Sequence, residues 1–433
     1  MIFAARSRSV RAAPKSRRKP RPVEYNILIT ATLCLLAAGA VMVYSASSAR
    51  TLLESGGGEG TGYLVKYVAY GALGLVILQC LARGGLDLLS RVTPMLLGVS
   101  FLLLLAVKIP GIGVEVNGAQ RWFAAGPLQF QPSELMKLAL VLYAAGLLAT
   151  TPSKLRNLDG VAGPLLLVGG AAILLIATQP DLGSALVIAF TLGALLLVAG
   201  TPLALLAKIA GVGVVLVLLF IVVEPYRAAR LTAFLNPWAH AESVGFQSVQ
   251  GQIAVGSGGF FGVGLGESVQ KVFYLPEAHT DFILAVIGEE IGIAGISGLL
   301  FLYGLIGYAG LRTAKAAKTR YQQLLAAGLT ALILCQALLN IFAVLGLAPL
   351  TGVPLPFISS GSSSLIVMLS TMGILLNLAA RNTSHLAALA EPRGRRDDAR
   401  GSPGAEGAHR SGRDGRSRRA RAGGRRTADG GGR

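Results

Sequence analysis

Long apolar runs separated by short polar connections dominate the pattern along the chain. Several of these runs reach the roughly 18 residues that a helix needs to cross a bilayer core of about 30 Å. Their apolar positions are continuous and do not alternate, which favours helices over the strands of a membrane barrel. The pattern therefore predicts an all-α polytopic membrane protein with about ten transmembrane helices.

Basic residues in the short connections predict the orientation of these helices. The predicted spans are, approximately, Tyr25–Ser45, Tyr63–Leu81, Val92–Ile109, Pro132–Ala149, Val161–Thr178, Leu182–Ala199, Pro202–Val223, Asp281–Leu311, Gln323–Leu347 and Gly361–Ala380. The inside connections carry Arg83, Arg91, Lys154, Arg156, Arg312, Lys315, Lys318 and Arg320. Both termini are then cytoplasmic, and the connections Val114–Gln131, Glu224–Thr280 and Ala348–Ser360 face outside. The largest of them lies between the seventh and eighth spans.

Composition agrees with a membrane location and explains the charge. Of the 433 residues, 53% are hydrophobic, which excludes an ordinary soluble domain. Much of the net charge of +18 lies in the tails 1–22 and 382–433, which have too few large apolar residues to build a core. We predict two disordered cytoplasmic tails beside anionic lipid, no nucleic-acid partner, and one membrane domain over 23–381.

The richest candidate chemistry lies where the largest connection meets the eighth span. There a polar segment places His279 and Asp281 at the start of an apolar helix. An ionisable side chain is costly in the membrane, so its presence there indicates a function. At 100° per residue, one continuous helix would align Asp281 with a strip of small residues and would put Glu289 at its flank. The strip consists of Ala285, Gly288, Gly292 and Gly295. Small residues are typical of close helix packing, but the aspartate indicates a functional site.

Other polar residues carry two interpretations each. Glu134 and Lys137 share a helix face, either as an internal ion pair or as the lining of a polar cavity. Asp181 follows Gln-Pro in a tight turn and either caps the sixth helix or serves the site. Arg121 and Trp122 either anchor the chain at the membrane surface or bind phosphate and stack on a sugar.

Two further serines, Ser359 and Ser360, offer hydroxyls just before the last span, where N-capping is the alternative. The glycine-rich run Gly256–Gly266 lacks the lysine of a phosphate-binding loop and predicts flexible or tightly turned backbone. The three cysteines lie far apart in apolar segments and are interpreted as small core side chains, not as a metal site or disulfides. They are Cys34, Cys80 and Cys335.

These motifs together resemble the SEDS family of FtsW, RodA and SpoVE proteins, over nearly everything between the tails. The matching stretches are Asn117-Gly-Ala-Gln-Arg-Trp122, Gln131-Pro-Ser-Glu-Leu-Met-Lys137, Gln179-Pro-Asp-Leu-Gly183, Tyr274-Leu-Pro-Glu-Ala-His-Thr-Asp-Phe282 and the spacing Asn340, Gly346, Pro349, Gly352, Phe357-Ile-Ser-Ser-Gly361. The family usually has two glycines where this chain has Gly361-Ser362. Ala278 is more similar to the FtsW and SpoVE branch, because RodA tends to carry arginine there.

The resemblance implies a peptidoglycan glycosyltransferase that polymerises lipid II at the outer face of the cytoplasmic membrane, here for septal synthesis in cell division. It implies a class B penicillin-binding protein as partner, with other divisome proteins, and Asp281 as the catalytic aspartate. The candidate substrate-binding residues, from the residues and the resemblance together, are Arg121, Trp122, Glu134, Lys137, Asp181, His279, Glu289, Ser359 and Ser360. No cofactor is assigned, and a divalent cation, Mg²⁺ or Mn²⁺, stays an open alternative.

The chemistry of such a transfer fits this set of residues. Converting an α-linked sugar pyrophosphate into a β-1,4 link inverts the anomeric carbon in one displacement. That step needs one general base, for which Asp281 is the candidate, and cationic help for the pyrophosphate. Three alternatives remain: a transporter that flips lipid II, a scaffold that only recruits the penicillin-binding protein, and the same enzyme acting in elongation or sporulation.

Overall fold

The computed structural model describes residues 22–54, 61–116, 118–125, 128–150, 164–223, 225–272, 274–276 and 278–390. Its helices are α1 (Val23–Glu54), α2 (Gly62–Arg83), α3 (Leu86–Ala106), α4 (Pro132–Thr150), α5 (Pro164–Ala177), α6 (Leu182–Ala199), α7 (Leu203–Val223), α8 (Pro225–Leu235), α9 (Phe246–Ser257), α10 (Ile283–Glu290), α11 (Gly292–Lys315), α12 (Arg320–Val344) and α13 (Ser362–Ala390). The chain is a polytopic helical membrane protein.

Within the described ranges, nine helices are long and apolar enough to cross a membrane, and α5 is a shorter apolar helix. Together they correspond to the ten predicted spans. The helix α5 begins at the edge of 151–163, which lies outside the described residues, as do 1–21 and 391–433. The predicted tails, the basic pair Lys154 and Arg156, and the inside-outside orientation therefore stay predictions.

The helix α12 is the centre of the bundle. It packs against α4, α6 and α11, and buried residues follow it from Leu324 to Val344. The helix α13 is also buried over most of Ser362–Arg381, whereas α7 is almost wholly exposed along its apolar length. An apolar helix with no protein around it is stable only against lipid, so α7 lies at the edge of the bundle.

The connection between α3 and α4 forms a small antiparallel sheet, which the apolar pattern did not predict. Its strands are β1 (Val114–Val116), β2 (Ala119–Ala125) and β3 (Leu128–Phe130), in that order. Trp122 pairs with Val114 and Phe123 with Phe130. The strands are three to seven residues long, too short for alternation to stand out in the sequence.

The predicted eighth span is two helices and not one, which corrects the expected strip of small residues. The chain breaks at Ile291, and Gly292 has a φ of 74°, a left-handed value that favours glycine. A Cβ on Gly292 would lie 2.5 Å from the Gly262 nitrogen and 2.6 Å from the Phe260 oxygen. Asp281 lies outside α10, so it shares no continuous helix face with Gly292 or with the glycine three residues beyond it.

The glycine-rich run is part of what causes this break. Residues 258–272, which we call the clasp, wrap the α10–α11 junction: the Val263 and Gly264 N–H groups donate to the carbonyls of Glu289 and Glu290 at 2.9 and 3.1 Å. The clasp follows α8, a short 3₁₀ turn (Trp238–His240) and α9. The expected tightly turned backbone is confirmed.

The connection between α12 and α13, residues 348–361, passes inside the bundle. We call it the crossing segment; its residues 353 and 355–359 are buried, which the sequence did not predict, and the side of the membrane on which it lies stays a prediction. Two tyrosines hold it: the Tyr67 hydroxyl of α2 donates to the Phe357 carbonyl, and the Tyr303 hydroxyl of α11 donates to the Pro356 carbonyl, each at 2.6 Å. A buried loop is tolerated because its carbonyls are satisfied in this way.

The interpretation of the cysteines as core residues is wrong for two of them. All three are free, but Cys34 and Cys80 are exposed on the outer faces of α1 and α2, and Cys335 is half-buried. Cysteine is apolar enough to face lipid. Its location within an apolar segment therefore does not show whether the side chain packs in the protein core or contacts lipid.

Candidate functional site

Asp281 lies two residues before α10, at the inner end of the long connection. It is half-buried, and the Thr280 hydroxyl donates to its Oδ1 at 3.1 Å. The Asn340 side chain of α12 donates to two carbonyls at once, that of Asp281 at 2.7 Å and that of Val353 at 2.8 Å. The buried helix that follows and this side chain together fix the main chain that carries the aspartate.

His279, two residues earlier, is held from two sides. Its buried ring packs on the Tyr63 ring of α2, with centroids 4.2 Å apart and planes at 54°. The N–H and the hydroxyl of Ser360 both donate to the His279 carbonyl, at 3.1 and 2.9 Å. The segment that carries Asp281 is therefore bound to the crossing segment as well as to α12.

The hydroxyls of Ser359 and Ser360 do not cap α13, which was the alternative interpretation. Ser359 is buried, and its oxygen accepts a hydrogen bond of 2.8 Å from a backbone N–H four residues earlier in the same turn. The first hydroxyls of α13, on Ser362 and Ser363, donate to the carbonyl of Gln129 at 3.0 and 3.2 Å. The serine-rich turn thus joins the small sheet, α13 and the histidine segment.

Glu134 and Lys137 form a buried ion pair on the first turns of α4. The Lys137 Nζ lies 2.7 Å from Glu134 Oε1 and 2.6 Å from Gln336 Oε1. Gln336 in turn donates to the Pro354 carbonyl and to the Ser364 hydroxyl, both at 3.0 Å. The second glutamate oxygen, Oε2, is buried and has no hydrogen-bond donor among the residues that the structure describes. The ion-pair interpretation is confirmed, and one glutamate oxygen of the pair, Oε2, is left without a hydrogen-bond donor among the described residues.

One face of α12 joins this pair to the aspartate. Gln336 and Asn340 are four residues apart, so they share a helix face, and they donate to the adjacent carbonyls of Pro354 and Val353. The next residue toward α12, Gly352, faces the aspartate: a Cβ there would lie 3.8 Å from Asp281 Oδ2. The crossing segment therefore connects two sets of candidate residues that lie far apart in the sequence.

Asp181 caps α6, which confirms the first interpretation, and it is also the centre of a polar cluster; its role in the site stays a prediction. Its Oδ1 accepts from the Ser184 N–H at 3.2 Å, while Oδ2 accepts from the Gln131 amide at 2.8 Å and the Ser133 hydroxyl at 2.9 Å. The Arg121 Nη1 lies 4.0 Å from Asp181 Oδ1. The cluster fixes the start of α4 against the start of α6.

Arg121 and Trp122 are neighbours on β2, and successive side chains of a strand point to opposite faces. Because Arg121 reaches Asp181, Trp122 faces away from that cluster. The Arg121 Nε is buried without an acceptor among the described residues, although the rest of the side chain is partly exposed. The two side chains therefore lie on opposite faces of β2, and their binding of a sugar phosphate stays a prediction.

The family profile described as "Cell cycle protein", for FtsW, RodA and SpoVE, matches residues 25–384. This range includes every candidate residue described above. The chain belongs to the FtsW, RodA and SpoVE family. The resemblance inferred from the motifs is thereby confirmed over the whole membrane domain.

Relatives in this family align over most of their own length. A probable peptidoglycan glycosyltransferase FtsW of Geobacter sp. (strain M18) is 38% identical over 82% of this chain and 96% of its own. The stage V sporulation protein E of Bacillus subtilis (strain 168) is 36% identical over 81% and 96%. A chain of a solved peptidoglycan synthase complex, described by its coordination of polymerization and crosslinking, is 31% identical with a TM-score of 0.68, covering 82% and 97%.

Glu289 is the one candidate that the fold of this family member places elsewhere. It lies eight residues after Asp281, at the far end of α10, and both its oxygens are bound by the clasp. The Ser268 hydroxyl donates to Oε2, and the Val269 N–H donates to Oε1 at 3.0 Å. Its contacts are therefore those of a residue that holds the clasp on α10.

Sequence reasoning missed Gln336 as a site residue and used Asn340 only for its spacing. The signal that identifies them is a pair of amide side chains four residues apart inside an otherwise apolar span, where each needs buried partners. For a metal site, neither the sequence nor the described structure offers a comparable indication. Nowhere in the described ranges do three His, Cys, Asp or Glu side chains meet as metal ligands.

Proposed function

We propose that this protein polymerises lipid II into β-1,4 glycan strands, with Asp281 as the general base. The observation that carries the proposal is one face of α12, on which Asn340 donates to the main-chain carbonyl of Asp281 and Gln336 accepts from Lys137. This face fixes the main chain that carries the half-buried Asp281 carboxylate relative to a buried cation at the start of α4. The activity named for the FtsW relatives and the solved synthase complex supports the same reaction.

The reaction proceeds in one displacement at the anomeric carbon of the donor. Asp281 accepts the proton of the acceptor 4-hydroxyl as its oxygen forms the new bond to that carbon. The bond from the carbon to the pyrophosphate oxygen breaks, and its electron pair leaves with the pyrophosphate. Attack from the opposite side inverts the α-linkage to β, so one carboxylate suffices and no covalent sugar intermediate forms.

Cationic side chains stabilise the leaving pyrophosphate. Arg121, which is partly exposed and 4.0 Å from Asp181, is placed to bind it at the surface of the small sheet. Lys137 is fully buried and fixed by two acceptors, so it acts by its electric field, as a charge that needs no reorganisation.

A divalent cation fits this site only as a companion of the substrate. The described residues offer no set of three acidic or histidine ligands, whereas Mg²⁺ commonly keeps water and phosphate oxygens with one or two carboxylates. Any cation would shield the pyrophosphate charge. We propose no protein cage for it.

We infer the partner and the cellular role from what the relatives are named for. We infer a class B penicillin-binding protein that cross-links the new strands, because the solved relative belongs to a complex that couples polymerization and crosslinking. We infer a septal role in the cytoplasmic membrane from the FtsW relatives. Depletion of the protein tests this role: filaments support division, and round cells would assign elongation instead.

The decisive experiment is lipid II polymerisation in detergent, with and without the cognate penicillin-binding protein and Mg²⁺. Wild type should yield glycan chains, whereas Asp281→Ala and the isosteric Asp281→Asn should yield none while staying monodisperse. Glu242→Ala, which removes an exposed carboxylate of the same connection, is the matched control and should polymerise normally. Chains from Asp281→Ala would refute the base, and no chains from any variant, wild type included, would favour the lipid II transporter.

A further inference from the structure

The clasp, residues 258–272, carries two charged side chains: Lys271 lies on the inside, and Glu267 is exposed. Lys271 and Glu290 form an ion pair of 2.8 Å, and both are buried. The Ser45 hydroxyl of α1 lies 2.6 and 2.8 Å from the two Glu290 oxygens, and Lys271 also donates to the Gly266 carbonyl at 2.7 Å. With Glu289 bound nearby, the polar groups of this region point into the protein.

The large apolar side chains of the clasp point outward. The exposed ones are Phe260, Phe261, Val263, Leu265 and Val269, with Phe261 exposed to 80%. A loop in water has the opposite arrangement, because burying charge is costly and exposing apolar surface is unfavourable. An inverted segment of this kind indicates that the medium outside it is apolar.

The backbone of the clasp supports the same conclusion. In lipid each main-chain N–H must find a partner within the protein. The N–H groups of residues 262, 263, 264 and 267 all donate to backbone carbonyls, at 2.7 to 3.2 Å. Those of Val269 and Lys271 donate to the Glu289 carboxylate and the Ser268 hydroxyl. These six N–H groups are therefore satisfied within the protein, as a segment seated in lipid requires.

The position of the clasp along the bundle identifies the apolar medium. The helix α11 has 24 residues, which span about 36 Å at 1.5 Å each, slightly more than a hydrocarbon core of about 30 Å. Its first residue therefore lies near the edge of that core, on the side of the candidate site. The carbonyls of Gly259 and Phe260 accept the N–H groups of Ile293 and Ala294, so the phenylalanines continue the exposed apolar surface of α11.

We propose that the clasp is a membrane-seated element whose phenylalanines and leucine insert among the acyl chains of the leaflet beside the candidate site. The Phe260 and Phe261 rings, 4.8 Å apart and edge to face, form the anchor, as aromatic side chains do at membrane interfaces. The exposed carboxylate in the clasp, Glu267, reaches the headgroup layer. The exposed apolar side chains of the clasp thus contact lipid, and not a membrane helix of a partner protein.

Tryptophan quenching by brominated acyl chains tests the proposal. Phe261→Trp and Val269→Trp are reconstituted as full-length protein in nanodiscs with and without brominated lipid, and the emission of the two native tryptophans is subtracted. Leu219→Trp, on the exposed face of α7, is the lipid-facing reference, and Glu115→Trp, exposed on β1, is the matched control outside the bilayer. Monodisperse elution establishes that each variant is folded.

The expected result is loss of emission from both clasp variants to the extent seen for Leu219→Trp, with no loss from Glu115→Trp. Emission from Phe261→Trp and Val269→Trp that matches Glu115→Trp would overturn the proposal, because the clasp would then lie in water. The cognate penicillin-binding protein is then added to the same nanodiscs. Disappearance of the quenching would assign the surface to that partner and would also overturn the proposal; persistence supports lipid seating.

Discussion

Two buried glutamate–lysine pairs lie in this bundle, and they differ in how completely they are satisfied. Glu134 and Lys137 are 2.7 Å apart, and Glu290 and Lys271 are 2.8 Å apart. Both oxygens of Glu290 have the Ser45 hydroxyl beside them, whereas Glu134 Oε2 has no donor within the described part of the chain. We expect the closed pair to serve architecture and the pair with unused capacity to serve the proposed reaction.

The largest expected effect is common to both pairs. Lys271→Met and Lys137→Met should each destabilise the protein by about 3–5 kcal/mol, because each leaves a buried glutamate without its cation. Thermal unfolding in detergent, followed by loss of monodisperse protein, measures this. A Lys271→Met variant as stable as wild type would show that the Glu290 pair is not needed even for architecture.

Replacing both partners of a pair separates the two roles. Lys271→Met with Glu290→Met, and Lys137→Met with Glu134→Met, should each recover most of the lost stability, since no charge stays buried. Polymerisation should recover only in the first. The second should stay about 10²–10³-fold slower than wild type, because a preorganised cation is gone. Equal recovery of polymerisation in both would remove the distinction between the pairs.

An intermediate effect is expected at the bridge between the pair and the base. Asn340→Leu leaves the carbonyls of Asp281 and Val353 without donors, at about 1–3 kcal/mol for each buried group. A rise of about 1.4 kcal/mol in the activation free energy, from the misplaced main chain of Asp281, lowers turnover about tenfold.

A matched control for this variant exists at the opposite end of the bundle. Asn377 likewise donates to two carbonyls, those of Leu81 at 2.7 Å and Gly84 at 2.8 Å. Asn377→Leu should lower the unfolding temperature similarly but leave the turnover of the folded enzyme unchanged. Equal losses of turnover in both variants would reduce Asn340 to a structural residue.

The smallest effect is expected in the clasp. Ser268→Ala removes one hydrogen bond to Glu289 and should lower stability by about 0.5–1.5 kcal/mol, with polymerisation unchanged. Lipid II polymerisation and thermal unfolding on the same preparation measure both. A tenfold loss of polymerisation would return Glu289 to the substrate-binding set in which the sequence placed it.

Local sequence signals predicted the parts of this protein that depend on neighbours along the chain. Apolar runs identified the spans, the three-residue spacing predicted the Glu134–Lys137 pair, and the Gln-Pro-Asp turn predicted the cap at Asp181. Each rests on helix geometry or on the energy of apolar burial, which act over a few residues. Motif resemblance added the family.

What the sequence did not reveal depends on contacts between distant segments. The break at Ile291–Gly292 requires the clasp to approach the backbone, and one helix was predicted there. The buried crossing segment requires Tyr67 and Tyr303 as donors, and no periodicity reports such contacts. Gln336 looked like an ordinary polar residue of an apolar span until its partners were seen.

The connections of the crossing segment also set an order in time. The Phe357 carbonyl binds Tyr67 in the second helix, and the Ser363 hydroxyl accepts the Gln131 N–H, 232 positions earlier. During synthesis, Asp281 is made first, and the ribosome then adds roughly eighty further residues before the crossing segment and the start of α13 exist. The surroundings of that carboxylate can form only after this. The surroundings of the candidate base are therefore completed only when the last helix packs into the bundle, among the final events of biogenesis.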